Sequence, residues 1–301
     1  MRIFKGSGVA IITPFNGSEV NFTKLEKLLE WHIQNKTDAI IVCGTTGEAS
    51  TMSEEERKAT IKFTVDKVNK RIPVIAGTGS NDTIKSAKFS KWAEDIGVDG
   101  LLIITPYYNK TTQKGLLEHF KYINDSVNIP IIIYNVPART GMNILPMTLV
   151  KICDSCNNVV GIKEASGDLS QIAQMKALLR DRIHIYSGND DQIIPILSLG
   201  GDGVISVLAN IIPKEVHQMC ELYMEGKANE GLQIQLDTLS LANSLFIETN
   251  PIPVKTAMNL MGMNVGDLRL PLCNMEKNNL SQLKLELQKH ELIKTTEDQN
   301  D

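Results

Sequence analysis

Lys163 is the side chain in this sequence with the clearest potential for covalent chemistry. It follows the apolar run VVGI at residues 159–162, so a buried strand would carry its amine to the strand end. At a pKa of ~10.4, only about one lysine amine in 2500 is neutral at pH 7, so a nucleophilic role requires a pKa lowered by ~2 to 3 units. Burial and a nearby arginine would both lower it. The alternative is an ordinary ion pair with Glu164 or with another carboxylate at the rim, and the residue types leave both possibilities open.

Two further segments carry polar groups after apolar runs. Tyr134 has a phenol that can pass a proton, and Arg139 can bind a carboxylate through two hydrogen bonds. Thr45 and Thr46 lie in a Gly-Thr-Thr-Gly turn whose hydroxyls and amides suit a small carboxylate. Each has a structural alternative: a packed tyrosine, a solvated arginine, or a tight turn from strand to helix. Groups that follow parallel strands meet at one end of a barrel, and this convergence favours a functional site.

The elements that would position these groups form a pattern of apolar, β-branched runs. The runs begin about 20 to 34 residues apart, enough for a helix to return each next strand parallel to the last. They are GVAIITP from Gly8, AIIVCG from Ala39, PVIAGTG from Pro73, GLLIITP from Gly100, PIIIYNVP from Pro130, VVGIKEASG from Val159, IHIYSG from Ile183 and GVISV from Gly203. Eight such units predict an α/β fold, a closed (β/α)8 TIM barrel, because closure leaves no strand edge exposed.

Sequence patterns typical of helices occur between the predicted strands and also after the eighth strand. Thr23 with Glu26, and Ser53 with Glu56, predict capping boxes. Residues 1–226 are expected to form the catalytic barrel and residues 227–292 a C-terminal helical extension, with helices in LQIQLDTLSLANSLF and NNLSQLKLELQKHELI. The polar residues 293–301 are predicted to be a disordered tail. The glycines before the eighth strand predict a tight turn from helix to strand.

Composition narrows the function classes. The chain of 301 residues is 42% hydrophobic and 22% charged with a net charge of −4, which is ordinary for a globular protein and argues against nucleic-acid binding. No run is long enough for a signal core or a membrane span, so we expect a cytoplasmic protein. The five histidines include no metal-binding pair, so no metal is expected. A redox or metal role for the C-x-x-C of Cys153 and Cys156 is disfavoured, because helix-like residues precede it.

At the same residues, the sequence resembles the pyruvate-dependent class I aldolases, the family that includes the N-acetylneuraminate lyases. The likeness covers residues 1 to about 292. The matching motifs are GTTGE from Gly44, TPYYN from Thr105, YNVPARTG from Tyr134, GIKEASGD from Gly161, GGDGVISV from Gly200 and NPIPVK from Asn250. Arg139 distinguishes subgroups of the family better than the other motifs do. Its position resembles that of the members that condense pyruvate with L-aspartate-4-semialdehyde.

This resemblance implies a lyase that makes 4-hydroxy-tetrahydrodipicolinate, the first committed step of the diaminopimelate and lysine pathway. Pyruvate would form a Schiff base with Lys163, with no cofactor, and the product would leave by transimination. The family pattern gives the remaining site residues their roles. These are Tyr134, Thr45 and Tyr108 for proton relay, Thr46 for the pyruvate carboxylate, Arg139 for the carboxylate of the aldehyde, and Gly188 and Ile205 for backbone contacts around the lysine.

The resemblance also implies an oligomer and a regulatory site. Tyr108 is expected to reach the site of a neighbouring subunit, in a homotetramer made of two tight dimers. The positions related to the family's allosteric lysine site are Ala49, Glu54, Arg57, Asn81, Lys85 and Tyr107. Glu54, Arg57 and Lys85 depart from the histidines and glutamate of lysine-sensitive members, and two of them are cations that repel an ammonium. We therefore expect weak or absent inhibition by L-lysine.

Two other interpretations remain. The first is a related lyase or synthase that uses pyruvate with N-acetylneuraminate or a keto-deoxy sugar, but Arg139 suits a carboxylate better than a sugar hydroxyl. The second is a catalytically silent barrel that only binds a keto acid or acts as a subunit in a larger assembly. Loss of the lysine or of its proton relay would be tolerated in a silent barrel, whereas Lys163, Tyr134, Thr45 and Tyr108 are all present.

Overall fold

Apolar, β-branched segments form the barrel strands. The computed structural model describes residues 2–294 of the chain. Within these residues, the barrel strands are β1 (Gly6–Ala10), β2 (Ala39–Val42), β3 (Val74–Gly77), β4 (Gly100–Ile104), β5 (Ile131–Asn135), β6 (Val159–Glu164), β7 (His184–Ser187) and β8 (Gly203–Ser206). A short antiparallel hairpin, Phe15–Asn16 paired with Glu19–Val20, follows β1.

The barrel closes through its first strand. β1 pairs in parallel with both β2 and β8, and every other barrel strand pairs with its neighbours in the chain. The strands are continuously apolar because one face packs against helices and the other fills the barrel interior. Pairing of β5 with β6 sets Tyr134 directly opposite Lys163. The predicted (β/α)8 barrel is therefore confirmed.

Helices connect the strands and form the C-terminal part of the chain. Over residues 2–294 they are α1 (Phe22–Gln34), α2 (Glu54–Val68), α3 (Thr83–Asp95), α4 (Gln113–Asn124), α5 (Pro137–Thr140), α6 (Pro146–Ser155), α7 (Leu169–Leu179), α8 (Ile193–Ser198), α9 (Pro213–Met224), α10 (Ala228–Asp237), α11 (Leu239–Ser244), α12 (Ile252–Leu260) and α13 (Lys277–Lys289). None of the helices described is long and apolar enough to span a bilayer.

Of the two predicted capping boxes, one is present in the structure and the other is not. The capping box of Ser53 and Glu56 begins α2, with both reciprocal hydrogen bonds present. The box predicted at Thr23 is wrong: Asn21 caps α1, because its side chain accepts from the backbone N–H of Lys24. Gly200 has φ +87° in the turn between α8 and β8, as predicted for a tight turn from helix to strand.

The barrel interior is filled at the end where the strands begin. Phe4 stacks on Tyr186 at 4.4 Å between ring centroids, and the Tyr186 hydroxyl donates to the Phe4 carbonyl. Further inward-facing apolar side chains join this cluster, including Ile41, Ile132 and Ile205. Since this end is closed by packing, polar chemistry is confined to the other end, where the strands finish.

The C-terminal helices pack onto the barrel. The segment LQIQLDTLSLANSLF forms two helices, because the helix is interrupted at Thr238 between α10 and α11. Leu292 and Ile293 pack against the main apolar core, so contact with the core extends one residue into the predicted tail. Residues 295–301 of that tail lie outside the described part of the chain.

A buried ion pair ties this C-terminal part to the barrel. The Lys255 amine on α12 donates to Glu48 Oε1 at 2.7 Å, and the two side chains are 1% and 0% exposed. The same amine donates to the Asp267 carbonyl at 2.7 Å, and the backbone N–H of Arg269 donates to Glu48 Oε2 at 3.0 Å. Burial lowers the pKa of Lys255, but the adjacent Glu48 carboxylate favours its charged form. The pair links the turn after β2 to the C-terminal helices.

We expect Lys255→Met to destabilise the protein by about 3–5 kcal/mol, because it leaves the Glu48 carboxylate buried without its counter-charge. The measurement is the free energy of unfolding in urea. Lys121→Met is the matched control: Lys121 lies 2.6 Å from Asp125 in an exposed pair, so its loss should leave the unfolding midpoint almost unchanged. Equal effects of the two substitutions would contradict the role of the buried pair.

Candidate active site

Lys163 lies at the end of β6 with its side chain inside the barrel. It is only 5% exposed, and its amine lies 4.4 Å from the centre of the Tyr134 ring. The pKa of the amine is lowered to about 8: burial is the main cause, the Asp190 carboxylate opposes it, and the Arg139 guanidinium adds to the lowering. The amine therefore has the buried position and the lowered pKa that a nucleophile needs.

Glu164 does not pair with Lys163. Adjacent residues of a strand point to opposite faces, so the two side chains diverge. The Glu164 carboxylate instead accepts from Asn135 Nδ2 at 3.0 and 3.2 Å and from the backbone N–H of Ser166 at 2.7 Å. Burial raises its pKa. The predicted alternative of an ion pair between Lys163 and Glu164 is therefore wrong.

Tyr134 and Thr45 lie beside the lysine. Burial raises the pKa of the Tyr134 phenol, while Arg139 and a hydrogen bond with Thr45 act to lower it. The phenol therefore holds its proton near pH 7, and the Thr45 hydroxyl lies close enough to influence its pKa. Such a pair can hand a proton to or from a reacting atom at the lysine.

A cavity of about 620 Å³ opens above the lysine. Its walls come from the strand ends of the barrel and from the segment between α11 and α12, which contributes Phe246 to Asn250. Six of the predicted residues line it: Thr45, Thr46, Tyr134, Arg139, Lys163 and Gly188. Ile205 does not line it but lies fully buried in the interior cluster below. Tyr108 is 92% exposed and does not line the cavity of its own chain within residues 2–294.

Gly188 leaves room for the lysine side chain. A Cβ at this position would lie 3.2 Å from Lys163 Cε, 2.6 Å from the Ala165 Cβ and 3.1 Å from the Glu164 carbonyl oxygen. Side chains and backbone would both have to move to accept it. Glycine is therefore required at position 188 because there is no room for a Cβ, and not because of an unusual backbone φ.

Two residues near the site had no predicted role. Asp190 is 2% exposed, and it accepts from the Ser206 hydroxyl at 2.6 Å and from the backbone N–H groups of Val207 and Leu208 at 3.0 and 2.9 Å. Asn250 donates to the Thr46 hydroxyl at 3.0 Å, and its carbonyl accepts from Arg139 at 3.1 Å. Asp190 belongs to the polar segment that follows the seventh strand, which is only a weak sequence signal for a functional residue. Asn250 begins the NPIPVK motif, but its local sequence does not indicate that the motif lies near the barrel mouth.

A second cavity of about 240 Å³ adjoins the first and shares Thr45, Tyr134 and Arg139 with it. Of the positions related to the family's allosteric site, Ala49, Arg57 and Tyr107 line this cavity, whereas Glu54, Asn81 and Lys85 do not. The Arg57 guanidinium donates to the Gly77 carbonyl at 2.9 Å and lies 4.3 Å from the centre of the Phe89 ring. It therefore places a fixed positive charge in the wall.

The C-x-x-C pair takes no part in either cavity. Cys153 lies in the last turn of α6, and Cys156 caps that helix. Burial raises the pKa of the two thiols to about 12 and about 11, respectively. No cluster of three or more potential metal-ligating side chains occurs within residues 2–294.

Comparison with known proteins agrees with this geometry. Residues 3–290 match the model of the dihydrodipicolinate synthetase family. The 4-hydroxy-tetrahydrodipicolinate synthase of Clostridium tetani is 76% identical over 98% of this chain and 100% of its own length. The same enzyme of Clostridium novyi is 71% identical over 96% of this chain and 98% of its own.

A solved structure extends the likeness to three dimensions. The dihydrodipicolinate synthase of Acinetobacter baumannii, crystallised in complex with pyruvate, superimposes with a TM-score of 0.94 at 42% identity. The match covers 97% of this chain and 100% of that one. The matched family model, the curated relatives and the solved structure all extend over nearly the whole chain. The chain belongs to the dihydrodipicolinate synthetase family.

Proposed function

We propose that this protein condenses pyruvate with L-aspartate-4-semialdehyde to give 4-hydroxy-tetrahydrodipicolinate, through a Schiff base on Lys163. The observation that carries the proposal is the buried amine, with a pKa lowered to about 8, at the base of a cavity lined by hydroxyl groups and an arginine. Relatives at 71–76% identity bear the name of this synthase. The related Acinetobacter enzyme binds pyruvate.

The lowered pKa makes the first step feasible at neutral pH. With a pKa of about 8, about one amine in ten is neutral at pH 7, compared with about one in 2500 for an ordinary lysine. The neutral nitrogen attacks the C2 carbonyl of pyruvate, and the resulting carbinolamine loses water to form the iminium. Loss of a methyl proton then gives the enamine, whose carbon attacks the aldehyde. In this scheme Tyr134 and Thr45 carry the protons between these species.

The two carboxylates of the substrates would be bound by different groups. Thr46 would donate to the carboxylate of pyruvate, and Arg139 would bind the carboxylate of the aldehyde. A guanidinium matches a carboxylate through two parallel hydrogen bonds, whereas a sugar offers only hydroxyls. Arg139 therefore favours the aldehyde acid over N-acetylneuraminate or a keto-deoxy sugar. The nucleophile is a lysine of the chain itself, so the scheme includes no cofactor.

A neighbouring copy of the chain would complete the site. Tyr108 is exposed, lies at a positive φ of 70° and is absent from the cavity lining of its own chain within residues 2–294. Such a side chain is free to enter the cavity of a second subunit and extend the proton relay of Tyr134 and Thr45. We therefore propose a homo-oligomer, with the tetramer of two tight dimers as its expected form.

The test of the proposed function is trapping of the Schiff base. Incubation with pyruvate followed by borohydride reduction should add one pyruvate-derived group to the chain, and peptide mapping by mass spectrometry should locate it on Lys163. The Lys163→Ala variant should remain unmodified. Lys255, a second buried lysine that lies outside the cavity, should carry no pyruvate-derived group in the native protein. An unmodified Lys163 in the native protein would overturn the mechanism. Faster turnover of N-acetylneuraminate than of L-aspartate-4-semialdehyde would overturn the substrate assignment.

The rate of trapping should depend on pH through the amine. Because only the neutral form reacts, the cyanoborohydride trapping rate should rise about 50-fold from pH 6 to pH 8 and then level off above the pKa of about 8. Arg139 lowers this pKa, so Arg139→Gln should move the midpoint to higher pH.

Arg182→Gln is the control for this pH profile. Arg182 precedes β7 at the opposite end of the barrel and pairs with Asp154. Its replacement should leave the midpoint unchanged. A midpoint above pH 10 in the native protein, or no shift in Arg139→Gln, would contradict the electrostatic account.

L-Lysine should inhibit weakly or not at all. Arg57 places a positive charge in the wall of the second cavity, and no carboxylate of residues 2–294 lines that cavity, so an incoming ammonium would meet repulsion. Initial rates measured over a series of lysine concentrations would check this. A clear inhibition curve at sub-millimolar lysine would refute it.

A further inference from the structure

Asn250 makes contact with both side chains that the proposed function assigns to carboxylates. Its Nδ2 donates to the Thr46 hydroxyl at 3.0 Å, and its main-chain carbonyl accepts from the Arg139 guanidinium at 3.1 Å. Asn250 is 5% exposed and lines the cavity above the lysine. It belongs to the C-terminal part of the chain, whereas Thr46 and Arg139 follow barrel strands.

The hydrogen bond to Thr46 determines where its hydroxyl proton can point. A threonine hydroxyl has one proton to donate and two lone pairs that accept. Because the Asn250 amide occupies one lone pair, the proton of Thr46 must be directed away from Asn250. Among residues 2–294, no other hydrogen bond to the Thr46 side chain is present, so the proton remains available to a ligand in the cavity.

Asn250 is itself held rigidly. It lies two residues before the start of α12, and Lys255 on that helix forms the buried pair with Glu48, two residues after Thr46. Two contacts therefore join the same pair of segments: Asn250 with Thr46, and Lys255 with Glu48. Because the contact between Lys255 and Glu48 is fully buried, it fixes the two segments relative to each other. It thereby holds Asn250 against Thr46.

We propose that Asn250 is a positioning residue that aligns the Thr46 hydroxyl for the carboxylate of pyruvate and holds Arg139 through its main-chain carbonyl. This inference rests on the function proposed above. Asn250 acts through Thr46 and Arg139 and is not itself assigned a contact with the reacting atoms. The two contacts differ in kind, because Thr46 is held by the side chain of Asn250 and Arg139 by its main chain.

This difference predicts how Asn250→Ala will affect the kinetics. The variant removes the contact to Thr46 and keeps the carbonyl that binds Arg139. The KM for pyruvate should rise about tenfold, the effect of losing one hydrogen bond, with a smaller change in the KM for the aldehyde and in kcat. The same shift should occur in the pyruvate concentration that half-saturates borohydride trapping, which needs no aldehyde.

A double-mutant cycle tests whether the effect passes through Thr46. In a Thr46→Val background there is no hydroxyl to orient, so adding Asn250→Ala should produce no further rise in the pyruvate requirement. Asn250→Asp has nearly the same shape but no donor, so the Thr46 proton would turn toward the aspartate. We expect this variant to need more pyruvate than Asn250→Ala.

Asn259→Ala is the matched control for a general loosening of α12. Asn259 lies on the same helix and is exposed, and within residues 2–294 its side chain bonds only to the backbone of Val265 and Gly266. Its replacement should leave the pyruvate requirement unchanged. The inference is overturned if Asn259→Ala matches Asn250→Ala, if the effects of Asn250→Ala and Thr46→Val multiply, or if both Asn250 variants trap pyruvate as the native protein does. Failure of the native protein to trap pyruvate would instead overturn the proposed function.

Discussion

The site depends on keeping one lysine amine out of water. Desolvation is the largest influence on the pKa of Lys163, and its value of about 8 follows from the enclosed position at the end of β6. The barrel supplies this enclosure, because packing around Phe4 and Tyr186 closes the end where the strands begin. The opposing effects of Arg139 and Asp190 then adjust the pKa without a direct ion pair. A lysine at a solvated rim would have none of these influences and would remain protonated at neutral pH.

The cavity is assembled from two parts of the chain with different tasks. The strand ends carry the groups that can react or transfer protons, namely Lys163, Tyr134 and Thr45. The segment before α12 supplies Asn250, which contacts the side chains that bind charge. The buried pair of Lys255 and Glu48 joins these parts at a place where water cannot screen it. The C-terminal helices are therefore a structural component of the site and not only a covering of the barrel.

Much of the fold could be predicted because its signals are local. Runs of apolar residues identified the barrel strands, and the capping box at Ser53 identified the start of α2. The box at Thr23 failed because Asn21 offers a competing cap two residues earlier, and either residue fits the same local pattern. The predicted helix from residue 232 to 246 likewise missed the break at Thr238, since both halves are equally helix-like.

The sequence by itself determined the strand order, the lysine at the end of the sixth strand and the family motifs, because these depend on residue type and spacing along the chain. Only the tertiary structure decided that Glu164 points away from Lys163, that Gly188 must lack a side chain, and that Asn250 reaches Thr46. These contacts join residues as many as 204 positions apart. Such distances in sequence leave no periodic signal, because the meeting of the two segments is set by packing around the whole barrel.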